Sequence, residues 1–209
     1  TGVTAIIPHG KAKANKSSMA GIFSFNGNGE LTGSHWVEES GFLEAPITLT
    51  NTHSCGVTRD ATAKWLVDHF GDTAQPWQLP VAGETYDGDL NDIGGCHVTF
   101  DHTYEALNSA TSGPIDMGSV GGGTGMLTYD FKAGSGSASR VVTISDQNYT
   151  VGAFVQSNFG KRQQMRVDGA PVGKHMRGDE LRGTGSGSII AVIATDAPLL
   201  PHQLKRMAR

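Results

Sequence analysis

Gly183-Thr-Gly-Ser-Gly-Ser-Ile-Ile-Ala-Val-Ile-Ala-Thr-Asp-Ala-Pro-Leu-Leu-Pro201 passes from small, flexible residues straight into an apolar, β-rich run, with Ser188 at the join. A Gly/Ser mixture alone is ordinary linker composition. The abrupt change at Ser188 opens a second reading. A serine hydroxyl there can attack the carbonyl of the preceding residue, Gly187, which has no side chain in the way and tolerates unusual backbone angles. Cleavage of that bond would leave Ser188 as a new N-terminus carrying a hydroxyl and a free amine, a nucleophile with its base attached.

The continuation, Ser188-Ile-Ile-Ala-Val-Ile-Ala-Thr followed by Asp196-Ala-Pro-Leu-Leu-Pro-His-Gln-Leu, resembles the self-processing junction of the DmpA-type aminopeptidases. This is the L-aminopeptidase/D-esterase and β-peptidyl aminopeptidase group, peptidase family S58. The resemblance extends from Thr1-Gly-Val-Thr-Ala-Ile-Ile-Pro-His-Gly onward. It implies an α/β fold, a four-layer α/β/β/α sandwich of the DmpA and ornithine acetyltransferase type. It also implies a chain divided into residues 1–187, the α-subunit part, and 188–209, the start of a β-subunit. The sequence opens on Thr1 and stops at Arg209 inside a helical pattern, so it reads as one partial domain from within a longer protein.

With 209 residues, 37% of them apolar and 17% charged, the chain is long enough to bury one sizeable core. The net charge of −4 lacks the basic footprint of a nucleic-acid or anionic-membrane binder. No apolar run approaches the ~20 residues that span a bilayer. Cys55 and Cys96 have no CxxC spacing and read as buried small hydrophobes in a reducing, cytoplasmic setting, with a single disulfide as the alternative. Twenty-nine glycines with no repeat period point to turns and close backbone approaches.

Periodicity predicts strands over Val3–Ile7, Met19–Phe25, Pro46–Asn51, Cys96–Phe100, Met126–Phe131, Ser139–Ile144, Tyr149–Ser157 and Ser188–Thr195. Helices are expected over Thr58–His69, ending at Gly71, over Asp101–Ser109, and over Leu199–Arg209 with Pro201 in its first turn. Residues 72–95, dense in Pro, Gly and Asp, read as loop. The mixture without strict alternation favours layered sheets covered by helices.

Three segments could carry chemistry. Gly118-Ser-Val-Gly-Gly-Gly-Thr-Gly125 has the composition of a phosphate-cradling loop, but a helix precedes it and a strand follows, the reverse of the dinucleotide-binding order, and no P-loop lysine is present. It matches the family's Gly-Gly-Gly-Thr-Gly-Met segment, a closely packed loop near the active site. Gly83-Glu-Thr-Tyr-Asp-Gly-Asp-Leu-Asn-Asp-Ile93 is acidic without EF-hand spacing, and a solvated turn is the plain reading. The resemblance instead sets Tyr86 against the nucleophile as a hydrogen-bond donor and places Glu84 to meet a substrate ammonium, a pairing chemically suited to an aminopeptidase. Trp77 would wall the same pocket, or else anchor a loop. Tyr149-Thr-Val-Gly-Ala-Phe-Val-Gln-Ser-Asn-Phe-Gly160 reads as a strand delivering Asn158, a turn residue on its own terms and, by resemblance, an oxyanion donor.

The eight histidines show no metal-ligand spacing, and the neighbours His53 and Ser54 are read as coincidence. No cofactor and no metal is expected. The resemblance implies short peptides, amino-acid amides or esters as substrates, a homo-oligomer of processed αβ units, and a further serine and glutamate downstream of the nucleophile. Two competing readings are a self-cleaving acyltransferase of the ornithine acetyltransferase type, whose nucleophile is a threonine, and a non-catalytic binding or structural domain in which Gly185-Ser-Gly-Ser188 is a linker.

Overall fold

The computed structural model describes residues 1–176, 178, 181 and 187–209, so most of the Gly/Ser run before the junction lies outside the described residues. The elements in chain order are β1 (Thr4–Ile6), β2 (Ser18–Met19), α1 (Ser34–Ser40), β3 (Phe42–Leu43), β4 (Ile47–Asn51), α2 (Cys55–Phe70) and β5 (Val81–Thr85). There follow α3 (Phe100–Ser109), β6 (Leu127–Thr128), β7 (Phe131–Lys132), β8 (Ser135–Ile144), β9 (Gln147–Asn158), β10 (Ser188–Thr195) and α4 (Pro201–Met207).

Two three-stranded sheets organise the molecule. In the first, of order β1-β4-β5, β1 runs antiparallel to β4 and β5 runs parallel to it, with Ile47 opposite Val81 and Asn51 opposite Thr85. A parallel pair needs a crossover, and α2 supplies it. The α2 side chains Thr58, Ala61, Thr62, Trp65 and Leu66 are buried. Trp65 and Leu66 join Leu107 of α3, Ala14 and Ala45 in one core cluster, and the Trp65 indole N–H donates to Asn108 Oδ1 at 2.8 Å. The second sheet, β10-β9-β8, is an antiparallel meander built on the ten-pair β8–β9 ladder.

The sheets meet where Ile190 of β10 lies over Gly83 of β5. A Cβ at Gly83 would come within 2.6 Å of Ile190 Cδ1 and 3.2 Å of Leu49 Cδ2, so any larger residue must displace the Ile190 side chain from this contact. The described layers are therefore α2 and α3, the first sheet, then the second. Among the described residues no helix is long and apolar enough to cross a membrane.

Several expected elements take a different form. The loop predicted over 72–95 contains β5, all five residues of which are buried. Pro80, Gly83 and Glu84 disguise it as a turn, but pairing with β4 and the Leu31–Gly83 bridge satisfy its backbone. Of the expected 19–25 strand only Met19 finds a ladder partner, Phe42 in β3, and Gly21 lies close against the Lys205 backbone of α4. Helix α1, bracketed by the left-handed Gly33 (φ 67°) and Gly41 (φ 75°), was not anticipated. The strand expected over 96–100 is interrupted by Cys96 at φ 49°, and Thr99 then caps α3 with its hydroxyl and main-chain N–H both 3.0 Å from His102 Nδ1. The strand expected over 126–131 is the hairpin β6–β7, turning at Tyr129–Asp130. Both cysteines are free, and only Cys55 is buried; Cys96 is exposed.

Candidate active site

The site forms where the last residue of β9 faces the first of β10. Antiparallel register puts Asn158 directly opposite Ser188, so both side chains leave the same face of the sheet. Ser188 Oγ receives two donors, Asn158 Nδ2 and the main-chain N–H of Tyr86, each at 3.3 Å. Tyr86 is the first residue beyond β5, so the first sheet contributes one donor and the second sheet the other. Donors converging on a hydroxyl oxygen favour it as it gives up its proton and builds negative charge.

Asn158 is 1% exposed and fully engaged. Its Nδ2 also donates to Tyr86 O at 2.5 Å, and its Oδ1 accepts from Leu127 N–H at 3.0 Å. Gly187 is wedged beside it. A Cβ there would sit 2.6 Å from Phe159 Cα and 2.8 Å from Asn158 O. Gly187 is thus held against the end of β9 with no room for a side chain.

At Tyr86 the donor is the main chain, while the ring is half exposed and lies over Gly88. Glu84, two residues back on β5, is 8% exposed. It accepts from Glu30 N–H at 3.1 Å and from the Thr52 hydroxyl, so its bonds go to neighbouring segments and not to Ser188. Trp77 is 56% exposed, with its ring edge-on to Trp36 at 6.3 Å rather than hydrogen-bonded to Ser188. His53 Nδ1 donates to Ile93 O at 3.0 Å, and Ser54 is buried at the start of α2. The two form no nucleophile–base pair.

Two contributors escaped sequence reasoning. Asp87, in the acidic stretch expected to be solvated, is fully buried. It accepts from Asn51 Nδ2 at 3.0 Å and Asn91 Nδ2 at 2.7 Å, which pins the turn that aims Tyr86 N–H. Leu127 N–H carries no side-chain signature at all. The Gly-rich stretch forms a short turn at Gly121–Gly123 whose N–H groups bond within the protein, Gly122 to Thr4 Oγ1 at 3.0 Å and Gly123 to Val120 O at 2.9 Å, and so are not presented to a phosphate. Among the described residues no three His, Cys, Asp or Glu side chains gather as a metal site.

Comparison with known proteins gives the chain its relatives. The chain is 50% identical over 224 residues to the β-peptidyl aminopeptidase BapA of Sphingosinicella microcystinivorans, covering 100% of this chain and 56% of that protein. It is 44% identical to BapA of Sphingosinicella xenopeptidilytica, covering 55% of it. The chain thus spans little more than half the length of these relatives. Among solved structures, the L-aminopeptidase D-Ala-esterase/amidase of Ochrobactrum anthropi, described as a variant of the Ntn hydrolase fold, superposes with a TM-score of 0.90 at 47% identity over 99% of this chain and 58% of that one. A Burkholderia sp. β-aminopeptidase gives 0.89 at 47% identity, over 99% and 57%. The fold is therefore the α/β sandwich of the Ntn hydrolases. The model of peptidase family S58 matches residues 1–209, and the chain belongs to that family.

Proposed function

We propose that the protein is a self-processing serine aminopeptidase or amidase whose nucleophile is freed between Gly187 and Ser188. The observation that carries this reading is the convergence of Asn158 Nδ2 and Tyr86 N–H on Ser188 Oγ beside a sterically pinned Gly187.

Self-cleavage proceeds in two steps. Ser188 Oγ attacks the Gly187 carbonyl carbon, the C–N bond breaks, and the hydroxyl proton passes to the departing nitrogen, giving an ester. Water then hydrolyses the ester, leaving a Gly187 carboxylate and a Ser188 with free amine and hydroxyl. In the mature protein that amine, ordinarily of pKa ~7.7–8.0, takes the hydroxyl proton near neutral pH as Oγ attacks the substrate. Asn158 donates to the oxyanion and Tyr86 N–H supports the nucleophile. Glu84 receives the substrate ammonium, exchanging the Glu30 or Thr52 bond for it.

The names of the relatives support substrates with a free amino terminus, as β-peptides, L- or D-amino-acid amides or esters. Processed units would assemble with copies of themselves, and the two free cysteines favour a reducing, cytoplasmic location. Intact mass of the full-length parent protein tests the reading. Two pieces parting between residues 187 and 188 are expected, with Ser188→Ala whole and without turnover. An Ala variant that still splits there removes Ser188 as the nucleophile.

A further inference from the structure

The Asn158 side chain ends in two groups of nearly equal shape and opposite chemistry. With Nδ2 toward Ser188 it donates; turned over, it would present Oδ1, which can accept from the hydroxyl but repels that oxygen once it has lost its proton and carries negative charge. Two main-chain groups make the choice together: Leu127 N–H, which donates to Oδ1 at 3.0 Å, and Tyr86 O, which accepts from Nδ2 at 2.5 Å. Leu127 opens β6, a two-residue strand held in place by its hairpin with β7. The hairpin turns at Tyr129 (φ 54°) and Asp130 (φ 63°). Both are left-handed, the conformation for which two-residue hairpins normally use Asn-Gly, and a tyrosine adopts it unwillingly. Such a turn persists only when its surroundings hold it.

Arg162 holds it. This residue, 3% exposed, lies four positions beyond Asn158. Its Nε donates to Tyr129 O at 2.9 Å, its Nη2 to Asp130 O at 2.8 Å, and its main-chain N–H to Asp130 Oδ2 at 3.0 Å. The guanidinium also sits 3.8 Å from the centroid of the Phe131 ring. A planar fork reaching both turn carbonyls is a task for arginine rather than lysine. Tyr129 N–H donates to Phe159 O at 2.9 Å, which ties the hairpin to the residue after Asn158.

We infer that Arg162, with Asp130, is a positioning residue for the reaction. By clamping the Tyr129–Asp130 turn it fixes Leu127 N–H, and through it the orientation that aims Asn158 Nδ2 at Ser188. This rests on the function proposed above. It assigns Arg162 no contact with substrate. Its loss acts on the transition state, where the Asn158 donor matters most, and leaves ground-state binding alone.

The test uses full-length, self-processed enzyme, with kcat and KM for β-alanine and D-alanine p-nitroanilides expressed per free Ser188 terminus counted by mass. Arg162→Met is expected to lower kcat about 10- to 100-fold with KM unchanged within about two-fold. Arg162→Lys should recover part of the loss. Leu107→Ala, a cavity in the distant α2–α3 core, serves as the stability control: it should lower the melting temperature comparably while keeping kcat per processed site. If Arg162→Met keeps wild-type kcat, or if kcat falls in proportion to melting temperature in both variants, Arg162 supports structure alone and the inference is overturned. Should Arg162→Met fail to fold or process, Asp130→Asn provides the same comparison, with a kcat loss of about 3- to 10-fold expected and no loss overturning the inference. Failure of the proposed function is read separately, from a wild type that shows no Ser188-dependent turnover.

Discussion

Gly187 is a residue whose replacement reports on its crowding against Asn158 and Phe159 at the end of β9. With Phe159 Cα 2.6 Å from where its Cβ would lie, Gly187→Ala must push the Gly187 carbonyl away from Ser188 or bend the end of β9. Self-cleavage of the full-length variant is expected to slow at least ~10-fold, since a misplacement of reacting groups by about 1 Å can cost about two orders of magnitude in rate. A mass time course at wild-type rate would show that the crowding is relieved freely. The cysteines offer a second test at this scale. Burial, reinforced by Glu30 and Glu84, pushes the Cys55 thiol up to about 12, and its Sγ–H donates to Ala82 O at 3.3 Å. The thiolate is the reactive form, so at pH 8 a disulfide reagent should titrate one thiol, the exposed Cys96, in the native protein and a second only after unfolding. Two fast thiols in the native state would contradict the burial of Cys55. Of the site residues, Ser188 was the most legible in the sequence, because its chemistry depends on the residue before it. The Tyr86 contribution was less so, since a main-chain N–H leaves no trace in side-chain identity.

At the scale of elements, the inter-sheet contact between Gly83 and Ile190 joins the strand that carries Tyr86 to the strand that begins at Ser188. Gly83→Ala overpacks this joint and is expected to destabilise by about 1–3 kcal/mol. Shortening Ile190 to Ala in the same chain should recover part of that loss, because the space is shared, and the non-additivity is measured by denaturant unfolding of both single variants and the double. Strictly additive losses would place the strain elsewhere. The same joint explains why β5 hides in the sequence. Its glycine and glutamate look like a turn until a partner strand and an opposing isoleucine are supplied. By contrast β10 is legible to the residue, since Ser188–Thr195 combines β-branched and small apolar residues bounded by Gly187 and Asp196.

For the whole molecule, the clearest pH prediction lies on the alkaline side. Cys55 moves from 9.0 to about 12, and Tyr104, through burial and its 2.7 Å bond to Asp68, from 10.0 to about 12. Both folded-state values are raised, so the unfolded chain releases these protons first. Their contribution to stability is complete below about pH 9 and is lost as pH rises toward 12. The denaturant midpoint should fall across that window, and Cys55→Ala should flatten its lower part; a midpoint independent of pH there would refute the assignment. Local pattern by itself determined the strands β1, β4, β8, β9 and β10, the glycine-ended helix α2, the proline-led helix α4 and the chemical character of the Gly187–Ser188 junction, because each depends on residues within a few positions of one another. Only the tertiary structure decided that Tyr86, Leu127, Asn158 and Ser188 meet. Their hydrogen bonds bridge up to 102 positions of chain and are set by strand register and sheet-on-sheet packing, which no short-range preference encodes.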